Sequence, residues 1–243
     1  MKGLVSLLIG VGILWAQTGS EILKKVDASA FPGTSYSLVR QTITTAQGKV
    51  REFVIEIYRR DYGRKLLFRY LKPARVKGTS FLFTEEGIWA YFPKTGRVRR
   101  IASKAKKEKM MGSGFTYEDI SLSGNFFANY QAKILRSEVL EGEECDVLEL
   151  TPKKESSYGK LVVWVSKTTY LPLLIEFYDP GNQLIKRLKQ EDVKTIQGQS
   201  TPMKMVLEDL VDRTTTVMEF QEVKYGVSLP EDFFTVRGLE GGQ

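Results

Sequence analysis

The sequence predicts a mainly β protein built as one large antiparallel sheet curled on itself, and three observations carry that prediction. From Tyr36 onward apolar and polar residues alternate with a period of two far more than with a period of 3.6. The connections between these runs are of hairpin length and rich in Gly, Pro, Asn and Asp. The runs number about a dozen, and an open sheet of that size twists and curls rather than lying flat.

The elements follow in order. Glu21–Asp27 is a short helical candidate. Tyr36–Thr45 and Lys49–Arg60 flank a turn at Gly48, with Phe53, Ile55 and Ile57 on one face and Glu56 on the other. Arg64–Lys72, Gly78–Thr84, Ile88–Phe92 and Arg97–Ile101 continue the pattern, the last two separated by the turn Pro93-Lys94-Thr95-Gly96. The second half repeats it in Lys133–Leu140, Asp146–Pro152, Lys160–Ser166, Leu171–Asp179, Gln183–Ile196, Met203–Asp212 and Thr214–Tyr225, with turns at 179–183, 197–202 and 211–214. Glu and Lys alternate with apolar residues on most strands, which gives the sheet one wet face and one face towards a core or cavity. No repeat or linker divides the chain, so residues 20–243 read as one domain.

Residues 102–127 break the alternation. A basic helical stretch leads into Met110-Met111, glycines at 112 and 114, and aromatics at 115, 117, 126 and 127. A long insertion with that composition reads either as a lid over an apolar surface or as a plug filling one end of the sheet.

At the N-terminus, Lys2 precedes a 12-residue apolar run, Leu4 to Trp15. A membrane helix needs roughly 20 such residues, so residues 1–19 read as a signal peptide cut near Ala16 or Gly19. An uncleaved anchor or a buried strand is the alternative. No cysteine follows the run to carry a lipid, and the expected location is periplasmic.

The 243 residues hold 36 Lys and Arg, 29 Asp and Glu, one cysteine and no histidine. The missing histidine excludes Ser-His-Asp and Cys-His catalysis and HExxH zinc chemistry. A lone Cys145, between Glu144 and Asp146, excludes an internal disulfide and reads as strand-end packing. GxxxxGK[ST], GxGxxG and GxSxG are absent. Glu85-Glu86 and Glu141, Glu143 and Glu144 lie in turn contexts, and Glu118-Asp119 reads as a helix cap or a salt bridge to Lys104–Lys109. We expect no enzyme, no cofactor and no metal site. The basic runs Lys94–Arg100 and Lys104–Lys109 read as a solvated face or a contact for anionic headgroups rather than for nucleic acid. An outer-membrane barrel fits poorly, because Glu56, Lys160 and Glu176 fall in mid-strand.

The stretch from Leu71 to Ser121 resembles the signature of the outer-membrane lipoprotein-sorting protein family, the LolA-like superfamily. Lys77-Gly78-Thr79 leads into the strand Phe81-Leu82-Phe83, and Trp89-Ala90-Tyr91 ends in a proline turn. Arg97–Ile101 follows, then Met111-Gly112-Ser113 and 115–119. Further matches are Tyr178-Asp179, Asp192-Val193-Lys194, Leu229-Pro230 and Phe233-Phe234-Thr235. Gly114 departs from the pattern, where an acidic residue is expected in many members.

The resemblance implies an unclosed β-barrel, a strongly curved antiparallel sheet with a few helices lidding its concave face. It also implies a periplasmic carrier or receptor for a lipid or lipidated protein, whose acyl chains lie in the concavity on their way to the outer membrane. The expected lining is Phe81 or Leu82, Phe83, Trp89, Tyr91, Trp164 and Phe220, covered by Met110, Met111, Phe115, Tyr117, Phe126 and Phe127. Arg97, Arg99, Arg100, Lys104, Lys106 and Lys107 are candidates for docking a membrane or a partner, such as a resistance-nodulation-division (RND)-type inner-membrane permease or an outer-membrane acceptor. A monomer is expected. The alternative is an accessory subunit of an RND-type lipid exporter that never holds lipid itself.

Overall fold

A computed structural model describes residues 17–30, 33–122 and 126–240. Residues 1–16, which make up most of the expected signal peptide (1–19), lie outside them. Among the described residues thirteen strands form a single antiparallel sheet. They are β1 (Ser35–Thr44), β2 (Val50–Arg60), β3 (Lys65–Lys72), β4 (Ser80–Thr84), β5 (Gly87–Phe92), β6 (Arg97–Arg100), β7 (Tyr130–Leu140), β8 (Glu143–Pro152), β9 (Lys160–Ser166), β10 (Pro172–Tyr178), β11 (Leu184–Ile196), β12 (Gln199–Asp209) and β13 (Thr214–Tyr225). Their order across the sheet is β6-β5-β4-β3-β2-β1-β13-β12-β11-β10-β9-β8-β7. Strands β6 and β7 are therefore its edges, and the barrel is not closed.

The sheet is mostly a run of hairpins, with β1 and β13 zipping its two halves together through Tyr36↔Lys224 to Thr44↔Thr215. Two hairpins are tighter than the sequence suggests. Glu141-Gly142 and Gln197-Gly198 are two-residue turns with both central residues at positive φ, the geometry that matches strand twist. Strand β12 consequently starts at Gln199 and runs through Pro202. Proline is tolerated there because β12 pairs with β13 only from Lys204 onward, so Pro202 needs no N–H on that side.

Helix α1 (Gly19–Ala30) is longer at both ends than the expected Glu21–Asp27. Thr18 and Glu21 cap it reciprocally: Glu21 N donates to Thr18 Oγ1 at 3.3 Å, and Thr18 N donates to Glu21 Oε2 at 2.7 Å. The basic stretch after β6 is a 3-10 turn over Ser103–Lys107 rather than a helix. The remaining helices are short: α2 (Tyr117–Leu122), α3 (Phe126–Asn129) and α4 (Val236–Glu240).

Two large apolar clusters occupy the concave face. One gathers Val39, Phe53, Ile55, Phe68, Phe81 and Phe83 with Met110 and Tyr117. The other gathers Ile22, Leu23 and Val26 of α1 with Leu148, Leu161, Val163 and Ile175. The convex face carries smaller ones, where Phe234 and Leu239 of the C-terminal segment cover Leu67 and Leu82.

Candidate functional site

The insertion joins β6 directly to β7, so it runs from one edge of the open sheet to the other. Each of its parts is tied to a different wall. Arg51 Nη2 of β2 donates to Gly112 O at 2.7 Å. Gly114 N donates to Thr216 Oγ1 of β13 at 2.9 Å. Lys109 bridges Asp209 and Asp212 at the β12–β13 turn; partial burial alone would lower its pKa, but its two carboxylate hydrogen bonds raise it. Phe126 N and Phe127 N donate to the two oxygens of Asp27 on α1, each at 2.9 Å. Burial raises the Asp27 pKa, and those two amides oppose the shift.

Helix α2 carries the firmest tie. Thr116 and Asp119 cap it reciprocally, and Asp119 then reaches Lys186 of β11 at 2.9 Å and the Tyr158 hydroxyl. Glu118 accepts hydrogen bonds from Ser156 and Ser157 in the β8–β9 loop. Glu118-Asp119 thus caps a helix as expected, but its ionic partner is Lys186 rather than the run Lys104–Lys109.

Beneath the insertion lies an apolar cavity of about 130 Å³. Its wall includes Ile57, Leu66 and Phe68 on one side and Leu161, Ile175 and Phe177 on the other. Strands β3 and β9 are seven neighbours apart in the sheet, roughly 34 Å if it were flat. Their side chains line one space, so this face is the concave one. Met110, Phe115, Ile120, Leu122 and Phe126 roof it, and Phe115 packs against both concave clusters. Gln41, Arg59 and Gln190 are polar breaks in the wall. Burial pushes the Arg59 guanidinium down to about 10, so it stays a cation at neutral pH.

Of the residues expected from sequence, Met110, Phe115, Phe126 and Phe220 line this cavity. Phe81, Phe83, Met111 and Tyr117 pack beside it in the concave core, and Phe127 adjoins α1 under the ammonium groups of Lys24 and Lys153. Leu82, Trp89, Tyr91 and Trp164 are on the convex face and do not contribute to the lining. Leu82, Trp89 and Tyr91 pack with Phe234 and Leu239; Trp164 packs with Cys145 and Val162 and donates to Glu138. The physical reason is the pleat: Phe81 and Phe83 face inward, so Leu82 faces outward, and the inward residues of β5 are Ile88 and Ala90. Ile57, Leu66, Phe68, Leu161, Ile175 and Phe177 were missed, although each lies on the inward phase of its strand.

The docking candidates do not form one face. Arg97, Arg99 and Arg100 are exposed on edge strand β6, with Arg100 donating to Glu86 O and lying over Trp89. Lys104, Lys106 and Lys107 line a separate cleft with the β2–β3, β4–β5 and β8–β9 connections. Among the described residues no group of three or more His, Cys, Asp or Glu is placed to hold a metal.

A family model described as "uncharacterized protein" matches residues 63–241. A DUF1329 family protein from Desulfovibrio piger has a closely similar structure, with a TM-score of 0.85, 29% identity, and coverage of 91% of this chain and 97% of that one. A domain from Vibrio parahaemolyticus described as an outer-membrane lipoprotein-sorting protein matches at a TM-score of 0.85 and 28% identity, covering 92% and 98%. A LolA superfamily protein from Nitrosomonas europaea shares the fold at a TM-score of 0.77 and 24% identity, covering 92% and 100%. No curated protein matches the chain.

Proposed function

The chain belongs to the family whose model matches residues 63–241 and resembles LolA-like outer-membrane lipoprotein-sorting proteins, and on that premise we propose that it is a periplasmic, non-enzymatic carrier or receptor for a lipid or lipidated protein. The observation that carries the reading is the apolar cavity enclosed between the curled sheet and an insertion that spans its two edges. Acyl chains enter this space and are passed on towards the outer membrane, from an inner-membrane permease or to an outer-membrane acceptor.

The cavity of about 130 Å³ is small beside the usual 300–1,000 Å³ of ligand pockets. On the carrier reading this is a closed form, and loading requires the insertion to lift. Burying acyl surface returns about 0.8 kcal/mol per CH₂, so binding strengthens with each added methylene and long chains bind more tightly than short ones. The test is native mass spectrometry of the purified protein together with displacement of a fluorescent fatty-acid probe. Co-purifying lipid and displacement that strengthens with chain length are expected; absence of both sinks carriage.

The small cavity also favours a second reading, an accessory subunit of an RND-type lipid exporter that holds no lipid. Crosslinking in cells separates the two, because this reading requires a stable permease contact and carriage a transient one.

A further inference from the structure

We propose that the cleft beside the insertion holds a phosphate-bearing, anionic lipid headgroup while the acyl chain of the same lipid occupies the apolar cavity; this rests on the carrier reading above. The cleft measures about 900 Å³ and is walled by the β2–β3 and β4–β5 turns, the 3-10 turn, helix α2 and the β8–β9 loop. It therefore lies between the β3–β5 part of the sheet and the β8–β9 loop, beside the insertion.

Its charge is one-sided in what is available to a ligand. Arg64, Lys104, Lys106, Lys107 and Lys154 line it against Glu85, Glu118 and Glu155. Glu118 already accepts hydrogen bonds from Ser156 and Ser157, and Glu85 faces Arg64 at 3.9 Å. Among the described residues none pairs with the ammonium group of Lys104, Lys106, Lys107 or Lys154. These lysines stand on two walls, the 3-10 turn and the β8–β9 loop. Point charges spread in this way suit a group with several anionic oxygens better than the single planar fork that a lone carboxylate prefers.

The floor is apolar. Leu66, Phe83, Ile88 and Leu122 line the cleft, and two of them, Leu66 and Leu122, also line the cavity. The polar and apolar spaces are thus neighbours on either side of Leu66 and Leu122, the arrangement that a headgroup and its chain require. A second basic groove, with Arg75, Lys77, Lys94 and Arg99, lies at the opposite ends of β3–β5 and shares no lining residue with the cavity. It supplies a matched control.

The test measures binding of palmitoyl-lysophosphatidylglycerol, palmitoyl-lysophosphatidylcholine and glycerol 3-phosphate to the full mature chain, by probe displacement and calorimetry. The anionic lysolipid is expected to bind about tenfold more tightly than the zwitterionic one, as befits a few exposed charge contacts, with the margin shrinking in high salt. Lys106→Glu/Lys107→Glu/Lys154→Glu, all on exposed positions, should abolish that preference while still binding the zwitterionic lysolipid; Lys77→Glu/Lys94→Glu should keep it. Equal binding of the two lysolipids, or a preference that survives the triple reversal, overturns the headgroup site and leaves carriage standing. Binding of neither lysolipid overturns both. Glycerol 3-phosphate binding as tightly as the anionic lysolipid marks a site for free phosphate and overturns the link to lipid.

Discussion

Lys186 on β11 and Asp119 on α2 form a buried ion pair, 2.9 Å from Nζ to Oδ2, with each side chain only 6% exposed. The Tyr158 hydroxyl completes the cluster by donating to Asp119 Oδ1 and accepting from Lys186. The pair fastens helix α2, part of the cover of the cavity, to strand β11 of its wall.

Lys186→Met leaves the Asp119 carboxylate buried without its cation, and is expected to cost about 3–5 kcal/mol in urea unfolding. Lys186→Met/Asp119→Leu removes both charges, and should be less destabilised than the sum of the two single variants despite losing the α2 cap. Strict additivity would show that the two residues are not coupled.

That pair also marks the boundary of what the sequence makes legible. Strand phases, hairpins and the edge-to-edge insertion follow from local patterning, because period two and turn chemistry act over a few residues. Which phase faces inward does not. Trp89 and Tyr91 are larger than Ile88 and Ala90, yet the smaller pair lies inside, since the C-terminal helix α4 covers the outer face of β5 and gives its aromatics a place to pack. Lys186 sits two residues before Leu188, a cavity residue, and so lies on the inward phase. A lysine there signals a buried carboxylate partner, but the partner is 67 residues away in the chain, beyond the reach of any local pattern.

Gly114, the departure from the family pattern, is fixed by close approach. A Cβ there would stand 2.8 Å from Leu207 Cδ2 and 3.3 Å from its Cγ, and Leu207 is buried in the cavity wall. Gly114→Ala is expected to cost about 1–3 kcal/mol by overpacking. Gly114→Asp should cost more, since it also buries an unpaired carboxylate. Thermal melts of both variants check the order; an Asp variant as stable as wild type would contradict the contact.

Alkali should unfold the protein sharply. Burial, reinforced by the Asp119 charge and hydrogen bond, holds the Tyr158 phenol far above its ordinary value, and burial does the same for Tyr70 and Tyr130. In the unfolded chain these phenols ionise near 10. Above that pH the unfolded state has released protons that the folded state keeps, so stability falls as pH rises. Lys109 acts in the same direction: its raised folded pKa gives stability that is complete below its unfolded value and lost as pH climbs through the folded one. With no histidine in the chain, no imidazole titration adds to the profile near neutrality. Phenolate absorbance and far-ultraviolet circular dichroism should show these tyrosines ionising only with loss of the fold, and Tyr158→Phe should weaken the alkaline dependence. Ionisation of all 11 tyrosines with the fold intact would refute it.

The cap on α1 distinguishes the two cleavage positions expected of a signal peptide. A cut after Ala16 leaves Gln17 first and keeps Thr18, whose reciprocal hydrogen bonds with Glu21 start the helix. A cut after Gly19 removes that cap, worth about 1 kcal/mol. It also removes Gly19, which is buried so closely on β7 that a Cβ would lie 2.7 Å from Ala132 O. Helix α1 supplies Ile22, Leu23 and Val26 to the concave core, and Asp27 to the insertion, so fraying its first turn would loosen the cover of the cavity as well. The mature chain should therefore begin at Gln17, and Thr18→Ala should lower stability by about the value of the cap. Intact-mass measurement of the exported protein decides the matter, and a chain beginning at Ser20 would show that the fold does without its cap.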